Sequence, residues 1–127
     1  MRGSSGTLLT AVLSMASCCA CATNAHPAAV YPKELLGAWD LGPQSCKLPV
    51  NPDADSPIRV EKVRLVGYEH QETPVSIKRV SVNPLAWAVT ATSDNAPGIK
   101  TADLYILKGD HLTVSDGEST RHYRRCK

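Results

Sequence analysis

The chain has 127 residues, of which 43% are hydrophobic and 20% charged, and its 14 basic side chains nearly balance 12 acidic ones. This length allows one domain of ordinary size. The formal net charge of +2 leaves no basic stripe of the kind that neutralises phosphates, which excludes nucleic acid as the expected partner.

The first segment, residues 1–25, is organised like a secretory signal peptide. Arg2 provides a positive start, an apolar run covers residues 8–22, and small residues follow. The run is shorter than the ~20 residues that a membrane-spanning helix needs. We therefore predict export, with a single domain at residues 26–127.

The end of the signal peptide has two interpretations. Cleavage after Ala22 or after Ala25 satisfies the small-residue rule and releases a soluble periplasmic protein. Residues 15–18 instead resemble a bacterial lipobox, which makes Cys18 a candidate for lipidation and a membrane anchor. Either process places the domain in the periplasm.

Two cysteines remain in the domain, Cys46 and Cys126. In an oxidising compartment they are expected to form one disulfide. The domain contains no Cys-x-x-Cys pair, so we predict neither a cysteine metal site nor a cysteine nucleophile. We predict no metal and no cofactor, the alternative being a zinc site if the barrel brings His70, His111 and His122 together.

The rest of the chain has the two-residue periodicity of half-buried strands, after one possible helical turn at residues 32–36. Leu85, Trp87, Val89 and Ala91 share one face of a strand. The predicted strands are 37–41, 58–60, 63–69, 74–82, 85–91, 100–107, 111–115 and 120–126.

Details of this pattern give further expectations. A change of phase within 74–82 predicts a bulge near Lys78 and Arg79. A turn is predicted at 95–98, and the following strand has an apolar side formed by Ala102, Leu104 and Ile106. Seven or eight short strands joined by tight turns predict an all-β antiparallel meander that closes into a small barrel. An open sandwich is the alternative.

Gly37-Ala38-Trp39, placed after a short turn, resembles the Gly-x-Trp that opens the first strand of lipocalin-like barrels. In that family the tryptophan plugs one end of the barrel and an arginine of the last strand lies across it. The resemblance implies this structural role for Trp39, together with Arg124 or Arg125.

A closer resemblance is to small exported proteins of proteobacteria. The pattern is Gly-x-Trp, a cysteine, a Tyr-Glu strand, a Leu-rich strand before a Gly-Asp turn, and a terminal Tyr-Arg-Arg-Cys. This chain has Trp39, Cys46, Tyr-Glu at 68–69, Gly-Asp-His-Leu-Thr-Val at 109–114 and Tyr-Arg-Arg-Cys at 123–126. This resemblance implies an envelope binding protein, and some proteins of this kind act as inhibitors or immunity proteins.

Sequence motifs for hydrolases, zinc proteases and nucleotide binding are absent from the chain. An enzyme would require His70, His111 and His122 to gather with carboxylates, which spacing cannot show. The basic residues of 121–127 predict either a solvated strand end or a positive rim for an acidic partner.

These observations predict a non-enzymatic binding protein, an immunity protein or inhibitor that neutralises an envelope-targeting effector or a cell-wall hydrolase. Polar loops at 44–56 and 68–73 would supply the contacts. The partner-binding candidates are Tyr68, Glu69, His70, Asp53, Asp55 and Arg121. The alternative is a lipocalin-like carrier or sensor of a small apolar molecule, which needs an interior cavity of about 300 Å³ or more.

Overall fold

The computed structural model describes Gly3, residues 27–44 and residues 46–127. Eight antiparallel strands follow one another around a closed barrel, with β1 pairing with both β2 and β8. The strands are β1 Gly37–Leu41, β2 Ile58–Val60, β3 Leu65–Gly67, β4 His70–Val82, β5 Leu85–Ser93, β6 Ala96–Lys108, β7 His111–Ser115 and β8 Thr120–Arg125. The predicted all-β antiparallel barrel is confirmed.

A 3₁₀ helix, Lys33–Leu35, precedes β1 at the position of the predicted helical turn. Gly3 apart, the predicted signal peptide and the lipidation candidate Cys18 lie outside the described residues. Within the described part of the chain, no helix is both long enough and apolar enough to cross a membrane.

The predicted strand 63–69 is wrong at both ends, because β3 covers only Leu65–Gly67. Glu69 has a positive φ of 55°, which belongs to a tight turn and not to a strand. That turn pairs Gly67 with His70, so β4 starts four residues before the predicted position 74. The segment predicted as a loop at 68–73 is therefore mostly strand.

The turn predicted at 95–98 is also displaced. The chain turns at Asp94 and Asn95, and β6 begins at Ala96. In β4 the register with β5 shifts twice, and the shift between Arg79 and Ser81 lies where a bulge is predicted. The register of β5 with β6 also shifts, between Thr92 and Ser93. Irregularities of this kind let the two longest strands, β4 and β6, bend around the barrel.

The core fills the barrel from one end, which we call the closed end. Its largest fully buried side chains are Trp39, Tyr105, Leu35, Leu112 and Val60. β5 turns its predicted apolar face inward, with Trp87, Val89 and Ala91 all buried.

For β6 the predicted inward face is wrong, because Ala102, Leu104 and Ile106 lie on the outside of the barrel. Leu104 is 39% exposed on the outside, whereas its neighbours Tyr105 and Leu107 are buried inside. Because side chains alternate along a strand, Asp103 shares the inward face with Tyr105.

The closed end is sealed by Trp39. Its indole N–H donates to the Leu35 carbonyl at 2.9 Å, and the Arg125 guanidinium carbon lies 4.1 Å from the ring centroid. The same guanidinium donates to the carbonyls of Leu36 at 2.9 Å and Glu34 at 2.7 Å. Arg125, and not Arg124, is thus the arginine that lies across the plug.

The predicted disulfide between Cys46 and Cys126 is present. The segment 42–57 leaves β1 at the opposite end, which we call the open end, and reaches the closed end at Cys46. There the Leu48 N–H donates to the Lys127 carbonyl at 3.1 Å. The segment then returns to β2 at the open end.

Candidate functional site

The inward side chains of three strands change from apolar to ionisable toward the open end. The strands alternate strictly there, so residues two apart share the inward face. The ionisable residues brought together this way are His70 and Glu72 of β4, Asp103 of β6 and Arg121 of β8.

These four side chains line a cavity of about 180 Å³, together with Tyr105 and Tyr123 below them and Asp55 and Ser56 of the segment 42–57. The cavity is smaller than the ~300 Å³ of an ordinary small-molecule pocket. The lining also includes the apolar Leu41, Ile58, Leu65 and Val114. Its ionisable side chains nevertheless do not suit an apolar ligand, because a buried charge needs a polar partner. The carrier alternative therefore draws no support from the cavity.

His70 is fixed from two sides. Its Nδ1 lies 3.0 Å from the Tyr68 carbonyl oxygen, and since a carbonyl only accepts, Nδ1 carries the hydrogen. A side chain at Gly67 would collide with the imidazole. The ring is thus held with Nε2 facing Glu72, 3.7 Å from its Oε1.

Asp103 and Arg121 meet across the barrel interior, because β7 separates their strands. The Arg121 Nη2 lies 3.6 Å from the Asp103 Oδ2. Both this distance and the one between His70 and Glu72 exceed a hydrogen bond. The two carboxylates therefore keep acceptor capacity for a further donor.

Both carboxyl groups are poorly solvated, with side-chain exposures of 21% for Glu72 and 14% for Asp103. Burial raises the pKa of Glu72, and His70 opposes that change. Burial likewise raises the pKa of Asp103, and Arg121 opposes it. Each carboxylate is thus costly to ionise where it stands.

Two tyrosines extend the polar group into the core. The rings of Tyr31 and Tyr105 lie 6.3 Å apart between centroids, and both are buried. The Tyr31 hydroxyl is buried beside Tyr105 and makes at most a weak hydrogen bond with it. Burial raises its pKa, as does the negative charge of the nearby Glu72.

We predict that Glu72→Gln stabilises the protein at neutral pH by about 1 kcal/mol. Because burial raises the pKa of Glu72, the folded protein binds this proton more tightly than the unfolded chain, and stability falls as pH rises through that range. Glutamine removes this loss. Denaturant unfolding of both proteins at pH 7 and at about pH 4 measures the effect. The difference between their free energies of unfolding should vanish at the lower pH, where Glu72 is largely protonated in both the folded and the unfolded chain.

The exposed Glu118 provides a matched control, because Glu118→Gln removes the same charge without relieving burial. It should leave the free energy of unfolding within about 0.5 kcal/mol of the unsubstituted protein. A loss of stability in Glu72→Gln at pH 7 would contradict the prediction.

The structure brings three of the predicted partner-binding residues, His70, Asp55 and Arg121, to the cavity. Tyr68 and Glu69 form the exposed turn between β3 and β4 at the same end. Asp53 is exposed on the segment 42–57 and does not line the cavity.

Sequence reasoning missed Glu72, Asp103 and Tyr105. Asp103 could have been found, because it alternates with the large apolar residues Tyr105 and Leu107 on one face of β6. It was missed because the opposite face of the strand is also apolar. The histidines do not gather: His111 starts β7 at the closed end, and His122 contacts Thr113 on the outside of β8.

The two ends of the barrel differ in charge. Acidic side chains near the open end are Asp55, Glu69, Glu72, Asp94, Asp103, Asp116 and Glu118, beside the basic Lys100 and Arg121. Basic side chains near the closed end are Lys33, Lys47, Arg59, Lys62, Arg64, Arg79, Lys108, Arg124, Arg125 and Lys127, beside the acidic Glu34, Glu61 and Asp110. The prediction of one positive rim formed by the basic residues of 121–127 is therefore wrong. Arg121 lies at the open end, whereas Arg124, Arg125 and Lys127 lie at the closed end.

No family model matches the chain, and no curated protein or solved structure matches it either.

Proposed function

We propose that this protein is a non-enzymatic binding protein of the bacterial envelope that neutralises another protein, as an inhibitor or immunity protein, through the open end of its barrel. The observation that carries the proposal is the acidic open end with its small charged cavity. A partner with a basic surface fits this end by electrostatic complementarity.

The acidic open end also suits the class of partner predicted from the sequence, an envelope-targeting effector or a cell-wall hydrolase, if that enzyme acts on an anionic polymer. An enzyme that acts on an anionic polymer concentrates basic residues at its cleft, since that raises the local substrate concentration. An acidic surface that docks there would block the cleft. Association between such surfaces is fast at low salt and slows as salt screens the charges.

The scaffold is suited to recognition because little of it needs to be ordered on binding. The Glu69 turn is only two residues long, and the turn before β8 is fixed by Asp116, whose carboxylate accepts from the backbone N–H groups of Glu118 and Ser119. These bonds lower the pKa of Asp116 to about 2. A rigid rim loses little conformational entropy when a partner binds.

The proposal is tested by capture followed by inhibition. The oxidised protein is immobilised and exposed to periplasmic extract and to secretions of neighbouring strains, and captured proteins are identified by mass spectrometry. We expect an enzyme whose activity falls on stoichiometric addition of the protein. The double variant Glu69→Gln/Glu118→Gln, altered only at the exposed open end, should slow association at least about fivefold at low salt.

The matched control is Glu34→Gln/Glu61→Gln, which removes the same charge at the closed end. It should leave the association rate within about twofold. A partner that both double variants bind equally well, or a captured enzyme whose activity does not change, would overturn the proposal.

A further inference from the structure

We infer that the closed end of the barrel docks on an anionic phospholipid bilayer. This surface lies opposite the acidic open end and goes beyond the proposed function, which uses the open end alone. Basic side chains around the closed end outnumber the acidic Glu34, Glu61 and Asp110. Exposed apolar side chains lie among them, and a surface of this composition matches the headgroup layer of such a bilayer.

The acidic side chains at this end do not cancel its positive charge. Glu61 faces two arginines, of which Arg64 has its Nε 2.6 Å from the Glu61 Oε2. Asp110 is likewise paired with Lys127 and with Arg125, whose Nε lies 3.5 Å from its Oδ1. Each of the two carboxylates is thus shared by two basic groups, and each cluster keeps a net positive charge.

Exposed apolar side chains stand among the basic ones. Leu48, Val63, Val80 and Val82 are each more than half exposed, with Val82 at 73%. Three of the four adjoin basic residues, in the sequences Lys47-Leu48, Lys62-Val63-Arg64 and Arg79-Val80. In a headgroup layer the apolar atoms of such a surface are buried while the long basic side chains reach the phosphates.

The β4–β5 hairpin carries the most exposed of these side chains and projects from the rim. β4 pairs with β3 only over residues 70–72 and then continues to Val82. The hairpin therefore extends past the end of β3, with Val80, Val82 and Pro84 exposed at its tip. A projecting tip can enter a headgroup layer without any rearrangement of the barrel.

A shallow groove beside this tip has the chemistry of a phosphate site. Its volume is about 700 Å³, and Pro84, Lys108 and Arg124 are among its lining residues. Asp110 lines it too, but its carboxylate is paired with Lys127. A lipid phosphate in the groove would therefore meet two basic side chains without facing an unpaired carboxylate.

A bilayer fits these observations better than an acidic protein does. A protein interface gathers its apolar side chains into a core and keeps its charges at the rim. At the closed end the apolar side chains are instead spread over three segments, namely 42–57, the turn 61–64 and the β4–β5 hairpin. A fluid headgroup layer accommodates this arrangement, because each side chain can insert separately.

The path of the chain is consistent with this orientation. The chain enters the domain at the closed end, where the Tyr31 N–H donates to the Lys62 carbonyl at 2.9 Å. If Cys18 carries a lipid, the anchor joins the domain at the end that faces the bilayer. The open end then points away from the membrane, where a protein partner can reach it.

The test measures co-sedimentation of the exported, oxidised protein with lipid vesicles. Cys18→Ala is present throughout, so that no lipid anchor contributes. The protein should bind vesicles of equal phosphatidylglycerol and phosphatidylcholine at least about tenfold more tightly than vesicles of phosphatidylcholine alone, because its basic side chains gain from the negative surface potential. About 1 M salt should remove most of this difference, since it screens exposed charges.

Single charge variants locate the binding surface. Lys62→Gln and Arg79→Gln should each weaken binding to the anionic vesicles about fivefold. Lys100→Gln is the matched control, because it removes the same charge at the open end, and it should stay within about twofold. Anionic binding that all three variants leave unchanged would overturn the inference, as would equal binding to both kinds of vesicle.

The apolar contribution has its own pair of variants. Val80→Ser/Val82→Ser should weaken binding at least about fivefold, because it removes the apolar tip of the hairpin. Ile99→Ser/Leu104→Ser removes exposed apolar side chains away from the closed end and should have less than about a twofold effect. Equal losses in the two double variants would show that the hairpin tip does not insert.

Spin-labelled lipid in bicelles of the same composition tests the orientation. It should broaden the backbone amide resonances of 62–64 and 82–85 and leave those of 68–69 and 94–95 sharp. Broadening of the open-end turns instead would overturn the inference. Retention on polyglutamate without binding to vesicles would assign the closed end to an acidic protein and overturn the bilayer as its occupant. The proposed function is tested separately, because these variants leave the acidic residues of the open end intact.

Discussion

Trp39→Ala is expected to lower the free energy of unfolding by about 3–5 kcal/mol, the usual cost of truncating a fully buried tryptophan. Trp39 is 0% exposed and donates to the Leu35 carbonyl. Its loss leaves that carbonyl without its donor and removes the surface on which Arg125 lies. Denaturant unfolding followed by tyrosine fluorescence or circular dichroism measures the change.

Trp39→Phe keeps the test informative if the alanine variant does not fold. Phenylalanine retains most of the buried ring but has no N–H donor, so we expect a smaller loss of about 1–2 kcal/mol. The exposed Leu104 serves as the control, since Leu104→Ala on the outside of β6 should cost less than about 1 kcal/mol. A loss below about 1 kcal/mol for Trp39→Ala would contradict the role of Trp39 as the plug.

Much of the fold was accessible from the sequence because several local signals agreed. In β5, large apolar residues occupy one face and alanine and threonine the other, so only one face could be predicted to point into the barrel. The pairing of Cys46 with Cys126 followed from there being two cysteines in the domain. The resemblance to Gly-x-Trp barrels predicted a contact between Trp39, in the first strand, and an arginine in the last strand.

β6 could not be placed correctly because both of its faces are apolar over part of its length. Ala102, Leu104 and Ile106 look like a core face, but the larger Tyr105 and Leu107 lie on the other one. A shift of one residue reverses every side chain, so the ambiguity moved Asp103 from the interior to the surface.

The candidate site was missed for a related reason. Glu72 lies in a segment predicted as a loop. The start of its strand, β4, is set by the tight turn at Glu69, which has a positive φ. The proximity of Asp103 to Arg121 depends on β7 standing between their strands. Such contacts across a barrel depend on closure and register, which local patterns do not specify.

Replacing both Cys46 and Cys126 with alanine is expected to cost about 4.5 kcal/mol, because the disulfide closes a loop of 80 residues and the cost grows with the logarithm of loop length. That is a large share of the 5–15 kcal/mol typical of a domain. Urea unfolding of the double variant against the oxidised protein measures it. A loss below about 1 kcal/mol would contradict the prediction.

The disulfide should also affect the open end, although it lies at the closed end. It holds the segment 42–57, whose returning part places Asp55 and Ser56 at the cavity, and Ser56 Oγ donates to Asp40 Oδ1 at 2.5 Å. Without the disulfide, backbone amides of 46–56 should exchange hydrogen faster than they do in the oxidised protein, while those of β5 change little, because the segment opens locally while the barrel persists. Ser56→Ala provides the comparison, since it frees only the returning part. Equal exchange in the oxidised protein and the double cysteine variant would show that the barrel wall, and not the disulfide, positions this side of the cavity.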